Sequence, residues 1–338
     1  MAITLSVLDQ SPIYPGETAH DALSHTVALA QKVEKLGFRR FWVSEHHDSS
    51  HLAGSSPEVL ISYLIAKTDS IRLGSGGVML QHYSPYKVAE NFNLLSALAP
   101  GRIDLGVGRA PGGLPRSTQA LQQGITQAAS LTDKIQQLEE YLHNSLPEDH
   151  PLAGLQASPQ PVVTPELYVL GASVASARIT AELGLPYVFS LFINGEVSTT
   201  VEAVKAYRES FNHSTGRKPE VIIGLAVLAA DTEEEARELA TPQKLVKVHL
   251  SSGRTVTVST LEQGEEYGRQ ANEPFTIEEK EAQIIKGTKD HVRQQLQSLQ
   301  ELTGVEEFII TTNVSSFPAR LRSFELLQEA VLELESVS

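Results

Sequence analysis

Three ionisable side chains in succession, Glu45-His46-His47, stand directly after the apolar run Phe41-Trp42-Val43, with Asp48 and His51 close behind. A short aromatic and β-branched run predicts a buried strand. Imidazoles and carboxylates just past the C-terminal end of such a strand are the usual layout of an α/β enzyme site. Imidazole exchanges protons near neutral pH, so acid/base work is one reading of the cluster. Metal binding is another: His47 and His51 are spaced i, i+4, which on a helix turns both rings to one face. Against it, no His-x-His follows the first predicted strand, and no obvious His or carboxylate ligands end the later ones.

Three further motifs concern binding. Gly74-Ser75-Gly76-Gly77 lies inside a predicted strand, where glycine marks a bulge or the close approach of a ligand to bare backbone; a flat ring system would need this. Arg109, within Gly106-Val107-Gly108-Arg109-Ala110-Pro111-Gly112-Gly113, sits at a strand mouth, where a guanidinium can grip an anion bidentately. Leu170-Gly171-Ala172-Ser173-Val174-Ala175-Ser176 runs from a strand into a helix. A helix start offers free amides and a positive dipole end to a phosphate. Ser173 and Ser176 can add hydroxyl donors, and Ser173 also serves as an N-cap. Arg109 and this helix start would be neighbours on one rim, a pairing that suits a phosphorylated cofactor.

Elements that position these groups can be read in order. Predicted strands are Ile3–Leu8, Phe41–Ser44, Ile71–Leu80, Arg102–Gly108, Leu167–Leu170, Tyr187–Phe192, Glu220–Ala229 and Val305–Thr312. Helical spacing of apolar residues over 21–36 stops at Gly37, a natural terminator. Pro57 and Pro85 open the next two helices. Further helices are expected near 120–142, over 173–183, near 197–212, from Thr232 and over 318–335, with a Pro-rich connector at roughly 144–166. Eight strands, each followed by helical sequence, predict a (β/α)8 TIM barrel spanning 1–338 as one domain, with a doubly wound open sheet as the competitor. Residues 243–285, with Ser251-Ser252-Gly253 and a β-rich patch at Thr255–Ser259, break the rhythm. They read either as a surface excursion or as a lid over the barrel's C-terminal face.

The 338 residues are 41% hydrophobic and 20% charged, an ordinary globular composition. A net charge of −14 disfavours non-specific binding to nucleic acid or anionic membrane. Without cysteine there are no disulfides, thiolate metal sites or cysteine nucleophiles. No leader sequence or membrane-length apolar stretch is evident, so a cytoplasmic location is expected.

Taken together, Leu8-Asp9-Gln10-Ser11-Pro12, Trp42-Val43-Ser44-Glu45-His46-His47, Ile71 to Leu80, Pro100-Gly101-Arg102-Ile103-Asp104-Leu105-Gly106-Val107-Gly108-Arg109 and Gly184-Leu185-Pro186 resemble the luciferase-like flavin monooxygenases, nearest the single-chain group related to the bacterial luciferase α subunit. The resemblance implies a (β/α)8 barrel that binds reduced FMN at its C-terminal mouth. On it, His46 matches the active-site histidine beside the flavin's reacting edge, with Glu45 or Asp48 orienting it. Gly76-Gly77 matches a pair joined by a cis peptide under the isoalloxazine. Arg109, Ala172, Ser173 and Ser176 match phosphate-binding positions. Asp9, Gln10, Leu191 and Phe192 are expected on the substrate side. Oxygen would add at flavin C4a to give a hydroperoxide that oxygenates an organic substrate, perhaps a long-chain aldehyde. A separate flavin reductase would supply FMNH2, since no nicotinamide-binding Gly-x-Gly-x-x-Gly unit is present. A homodimer is expected. Luciferase has a cysteine where this chain has Gly108, and a tryptophan where it has Leu191. Arg116 is a candidate for a second phosphate contact. A non-catalytic FMN-binding protein, a metal-dependent hydrolase and use of coenzyme F420 are the alternatives.

Overall fold

Alternation along short parallel strands decides this architecture. In a computed structural model, which describes residues 2–125, 129–240, 244–258 and 260–335, the strands are β1 Thr4–Asp9, β2 Arg40–Val43, β3 Arg72–Met79, β4 Ile103–Gly108, β5 Glu166–Gly171, β6 Tyr187–Ser190, β7 Val221–Ala230, β8 Lys244–Leu250, β9 Thr255–Val258, β10 Phe275–Glu281, β11 Ile285–Thr288 and β12 Glu307–Thr311. Strands β1 to β7 and β12 pair in parallel, in the order β7-β12-β1-β2-β3-β4-β5-β6, and the β6–β7 pairing closes the ring. The fold is therefore the expected (β/α)8 barrel. Inward-facing residues, among them Leu8, Trp42, Tyr168, Val188, Ile222 and Ile309, pack on one another. Their neighbours in sequence, such as Val7, Phe41, Tyr187 and Phe308, turn outward under the helices. Among the described residues no helix is long and apolar enough to cross a membrane.

Charge, not hydrocarbon, closes the N-terminal end of the barrel. Arg40 on β2 is fully buried. Its Nη1 donates to Asp104 Oδ2 of β4 at 3.0 Å and to the Tyr168 hydroxyl of β5 at 2.8 Å. Its Nη2 donates to Glu307 Oε2 of β12 at 3.0 Å. Ser6 of β1 donates to Glu307, and Arg72 of β3 pairs with Asp104. Six strands thus meet in one network.

Glycine on β3 makes room for the Trp42 indole, whose Nε1 donates to Asp104 at 2.8 Å, and glycine on β4 lets that strand approach the β3 backbone. A Cβ on Gly74 would lie 2.6 Å from that Nε1, and one on Gly106 would lie 2.2 Å from the Ser75 carbonyl oxygen. Because backbone cannot yield as a side-chain tip can, Gly106→Ala is expected to cost about 1–3 kcal/mol, the usual range for overpacking. Urea denaturation monitored by Trp42 fluorescence would measure it.

Several expected boundaries change. The helix expected near 120–142 is two, Pro115–Leu121 and Leu131–His143; residues 126–128 of it lie outside the described residues. The strand expected over Tyr187–Phe192 stops at Ser190. Leu191–Asn194 is a helical turn closed by Gly195 at φ +80°. The 243–285 segment is largely ordered secondary structure: β8, β9 and β10 form an antiparallel sheet, and the helix Leu261–Ala271 packs on it (Gln243 and Ser259 lie outside the described residues). Its small core contains Val248, Leu250 and Tyr267. The segment stands on the C-terminal side of the barrel. It leaves from Ala240, bridged to Val314 just past β12, and returns through β11, which pairs with the last four residues of β7.

Candidate active site

Strand β2 ends at the barrel's C-terminal mouth and hands the chain to an irregular loop. Ser44 N donates to the Asp9 carbonyl at 3.0 Å and His46 N to Gly54 O at 2.8 Å. The loop after β1 zips onto the same segment through Ala53 N to Ser11 O and Ile13 N to His51 O, each 2.9 Å. From the other side, His47 N donates to Gly112 O of the β4 loop at 2.7 Å. A Cβ on Gly112, at φ +68°, would press on Met79, His47 and Glu45. The segment that carries His46 is thus held by backbone contacts from the loops after β1 and β4.

The His46 ring is half-buried, and its Nδ1 lies 3.0 Å from Ser44 Oγ. Among the described residues, its Nε2 has no partner. Burial pushes its pKa down from 6.5 to about 4; neighbouring His47 lowers it further and Glu45 partly offsets this. The imidazole is therefore neutral at ordinary pH and can accept or relay a proton through Nε2. Between pH 6.5 and about 4 the unfolded chain binds the proton that the folded one refuses. Stability from this group is complete above 6.5 and is lost as pH falls through that window. Denaturation midpoints followed from pH 7 to 4 should fall more steeply for the native chain than for His46→Gln.

Glu45 is turned away from His46. Only 1% exposed, it accepts from the Tyr83 hydroxyl at 2.8 Å and Met79 N at 3.1 Å, and it lies 2.7 Å from His47 Nε2. Burial and the Glu45 charge hold the Tyr83 phenol well above its ordinary range. Beneath Tyr83, the buried ammonium of Lys134 donates to the carbonyls of Leu80, Gln81 and Tyr83 at 2.9–3.1 Å. This fixes the turn after β3. Asp48 does not orient His46 either: Arg116 takes its carboxylate, Nε to Oδ2 at 2.5 Å and Nη2 to Oδ1 at 3.1 Å. Arg116 is thereby occupied as well. Residues 44–56 form no helix, so His47 and His51 do not share the helical face on which the metal reading rested.

Around the mouth, the Gly76–Gly77 peptide is cis and sits at a register shift between β3 and β4. Arg109, just past β4, is exposed and makes no ion pair among the described residues. Since Val107 registers with Val169, Arg109 stands level with Gly171, the residue before Ala172 and Ser173. Ser173 caps the helix Val174–Glu182. Its hydroxyl accepts from Ser176 N at 3.2 Å, and Ser176 Oγ accepts from Ser173 N at 3.2 Å. The next two amides, of Val174 and Ala175, have no acceptor within the helix. Asn194 donates to Ala172 O at 2.9 Å. Phe192 lies over Gly224 against the barrel interior, and Gln10 is half-buried on the inward parity of β1.

Two expected wall residues are elsewhere. Asp9 is fully buried and points outward into the helix layer. It accepts from Thr26 at 2.5 Å and pairs with Arg320 of the last helix at 2.7 Å, so its role there is to anchor helices. Leu191 joins the outer core, its neighbour Phe192 the inner one. Ser44, Tyr83, Gly112 and Lys134 were not foreseen. Only Ser44, contiguous with the cluster, and Gly112, in a quoted motif, carried a local signal.

With this geometry in place, comparison with known proteins is specific. The profile of the luciferase-like monooxygenase family matches residues 1–306. An N-acetyl-S-alkylcysteine monooxygenase of Bacillus subtilis (strain 168) is 46% identical over 331 residues, covering 98% of each chain. The crystal structure of apo-MsnO8 superposes with a TM-score of 0.79 at 33% identity, covering 98% of both chains. The oxygenating constituent of 3,6-diketocamphane monooxygenase of Pseudomonas putida, solved in complex with FMN, shares the fold with a TM-score of 0.71 at 19% identity, again over 98% of both chains.

Proposed function

This chain belongs to the luciferase-like monooxygenase family, and from that premise we propose that it is an FMN-dependent oxidoreductase that inserts one atom of O2 into a small organic substrate at the barrel mouth. The observation that carries the reading is the pairing of an unengaged cation, Arg109, with the start of the helix Val174–Glu182 at one level of the rim. The residues present suit FMN. Arg109 and the amides of Val174 and Ala175 would hold its phosphate, while Ser176 braces the Ser173 turn. Gly76–Gly77 would give its rings a bed free of side chains. Bound and reduced, FMN supplies the two electrons that activate O2, one oxygen atom going to substrate and the other to water.

The chain's own work is then positional and protonic. Neutral His46, held through Nδ1 by Ser44, offers Nε2 to a proton beside the reacting edge. Gln10 and Phe192 bound the substrate side, and the β8–β10 segment helps to exclude water. The first substrate class to test is the thioether of an N-acylated cysteine, after the Bacillus relative, and the second is a long-chain aldehyde. Reduced FMN comes from a separate reductase in the cytoplasm. A homodimer is supported by the exposed apolar residues Val59, Tyr63, Leu94 and Leu98 on the adjacent helices Pro57–Ile65 and Pro85–Leu98.

The phosphate contact has a direct test. Arg109→Ala should weaken FMN binding about ten- to a hundredfold, as expected for one charge-assisted contact, and leave riboflavin binding unchanged. Fluorescence titration with both flavins measures this. Equal losses for the two would remove Arg109 from the phosphate site.

A further inference from the structure

We propose that Lys247 anchors a carboxylate on the substrate, an inference that rests on the thioether reading above. Lys247 lies in the middle of β8. Strand alternation puts Leu245, Lys247 and His249 on one face of the small sheet, with Thr257 and Glu278 directly opposite Lys247 on the flanking strands. The other face, through Val246, Val248 and Phe275, is covered by the helix Leu261–Ala271: a Cβ on Gly264 would meet Val246, and one on Gly268 would meet Phe275. Lys247 therefore looks the opposite way, and the contacts of its face identify what it meets. Leu245 Cδ1 lies where a Cβ on Gly195 would touch it at 3.0 Å, and Lys280 pairs with Glu196 at 3.2 Å. Gly195 and Glu196 end the turn that carries Phe192 over the barrel interior. The Lys247 face is thus turned to the substrate side of the mouth.

On that face the other ionisable groups are engaged. Lys280 pairs with Glu278 and Glu196, each at 3.2 Å. His249 contacts Thr255 at 3.0 Å and Glu278 at 3.1 Å, so both Glu278 oxygens are taken. Lys247 is half-buried and makes no direct ion pair or hydrogen bond among the described residues; its charge reaches Glu278 and Glu196, whose carboxylates are already contacted by Lys280 and His249. With no direct contact, the N–H donors of this partly desolvated ammonium stay free to receive an anion. Two cations at the mouth, the exposed Arg109 and the half-buried Lys247, make no ion pair among the described residues. The cofactor's phosphate accounts for the first, and a substrate carboxylate suits the second. A chain of net charge −14 repels anions in general, so capture of one calls for such a local cation.

The test uses N-acetyl-S-methylcysteine and its uncharged methyl ester, titrated calorimetrically into the FMN-loaded protein and compared again as substrates under steady-state turnover. The native chain should bind the acid more tightly than the ester. Lys247→Met should weaken binding of the acid and raise its KM by about tenfold or more, the effect of one lost charge-assisted contact. It should leave kcat, the ester and FMN affinity unchanged, and Lys247→Arg should restore part of the preference. Equal effects on acid and ester, or no effect on either, overturn the assignment. So does a loss of FMN affinity, which would make Lys247 a phosphate ligand. If both compounds are oxygenated equally well, the thioether reading stands and the role of Lys247 falls. If neither binds nor reacts while a long-chain aldehyde does, both fall together.

Discussion

Replacing His46 by alanine is expected to lower turnover by about 10²–10⁴-fold, the usual contribution of a positioned proton-transfer group, while FMN still binds with its native affinity. The separation follows from the geometry. His46 is held by its backbone to Gly54 and by Nδ1 to Ser44, not by any group assigned to the phosphate. Removal of the ring therefore leaves the anion site at Arg109 and Ser173 intact. Burial keeps the imidazole neutral down to about pH 4, so its contribution persists across the neutral and mildly acidic range. A titration with FMN and a single-turnover oxidation, run on the same preparation, measure both halves. Unchanged turnover would take His46 out of the mechanism, and a large loss of FMN affinity would make it a binding residue instead.

Arg40→Ala is expected to have the largest effect on stability, about 3–5 kcal/mol, because it removes the buried guanidinium shared by two carboxylates that remain buried, leaving Asp104 to the partly exposed Arg72 and Glu307 to the exposed Arg39 at 3.5 Å. Asp104 is fully buried and Glu307 only 6% exposed, and each leans on the Arg40 guanidinium. The Tyr168 hydroxyl and Trp42 Nε1 cannot neutralise them. Arg40→Lys keeps the charge and loses the planar fork that reaches Asp104 and Glu307 at once, so it should fall between alanine and native. Urea midpoints for the three proteins, with the slope held constant as a check on two-state behaviour, would order them. A loss below about 1 kcal/mol for alanine, the level of a surface pair, would mean that the plug does not hold the barrel end.

How much of this could be read from the sequence depended on whether the signal was local. Barrel strands advertise themselves because both faces are buried: Phe41-Trp42-Val43 and Val221–Ala230 are nearly continuous apolar runs. Helix ends were equally plain where a cap or a glycine marked them, as at Gly37 and at Ser173, the N-cap of the helix Val174–Glu182. Strand β6 was over-extended because Leu191 and Phe192 continue its apolar run; only Gly195, in the left-handed region, closes the turn. Strand β10, Phe-Thr-Ile-Glu-Glu-Lys-Glu, was hidden by its charges, with only Phe275 and Ile277 alternating toward the helix. In β8 the alternation of Val246, Val248 and Leu250 was a visible signal that went unread.

The site divides in the same way. The position of His46 at a strand end was legible because the cluster is contiguous. The direction of Glu45 was not, since its partner Tyr83 is 38 residues away. Asp9 stands beside Gln10 and resembles a wall residue until Arg320, 311 residues later, claims it. Asp104 was quoted as part of a family motif, yet in the fold it serves the charged plug at the opposite end of the barrel from His46.

The most direct test of the central claim is a single turnover of anaerobically reduced, FMN-loaded protein mixed with ¹⁸O2 and N-acetyl-S-methylcysteine, or with a long-chain aldehyde, followed by mass spectrometry of the product. A flavin monooxygenase site at this barrel mouth predicts one ¹⁸O atom in the organic product for each reduced flavin consumed. Reoxidation of the flavin that yields only hydrogen peroxide, with no labelled product from either substrate class, would contradict it.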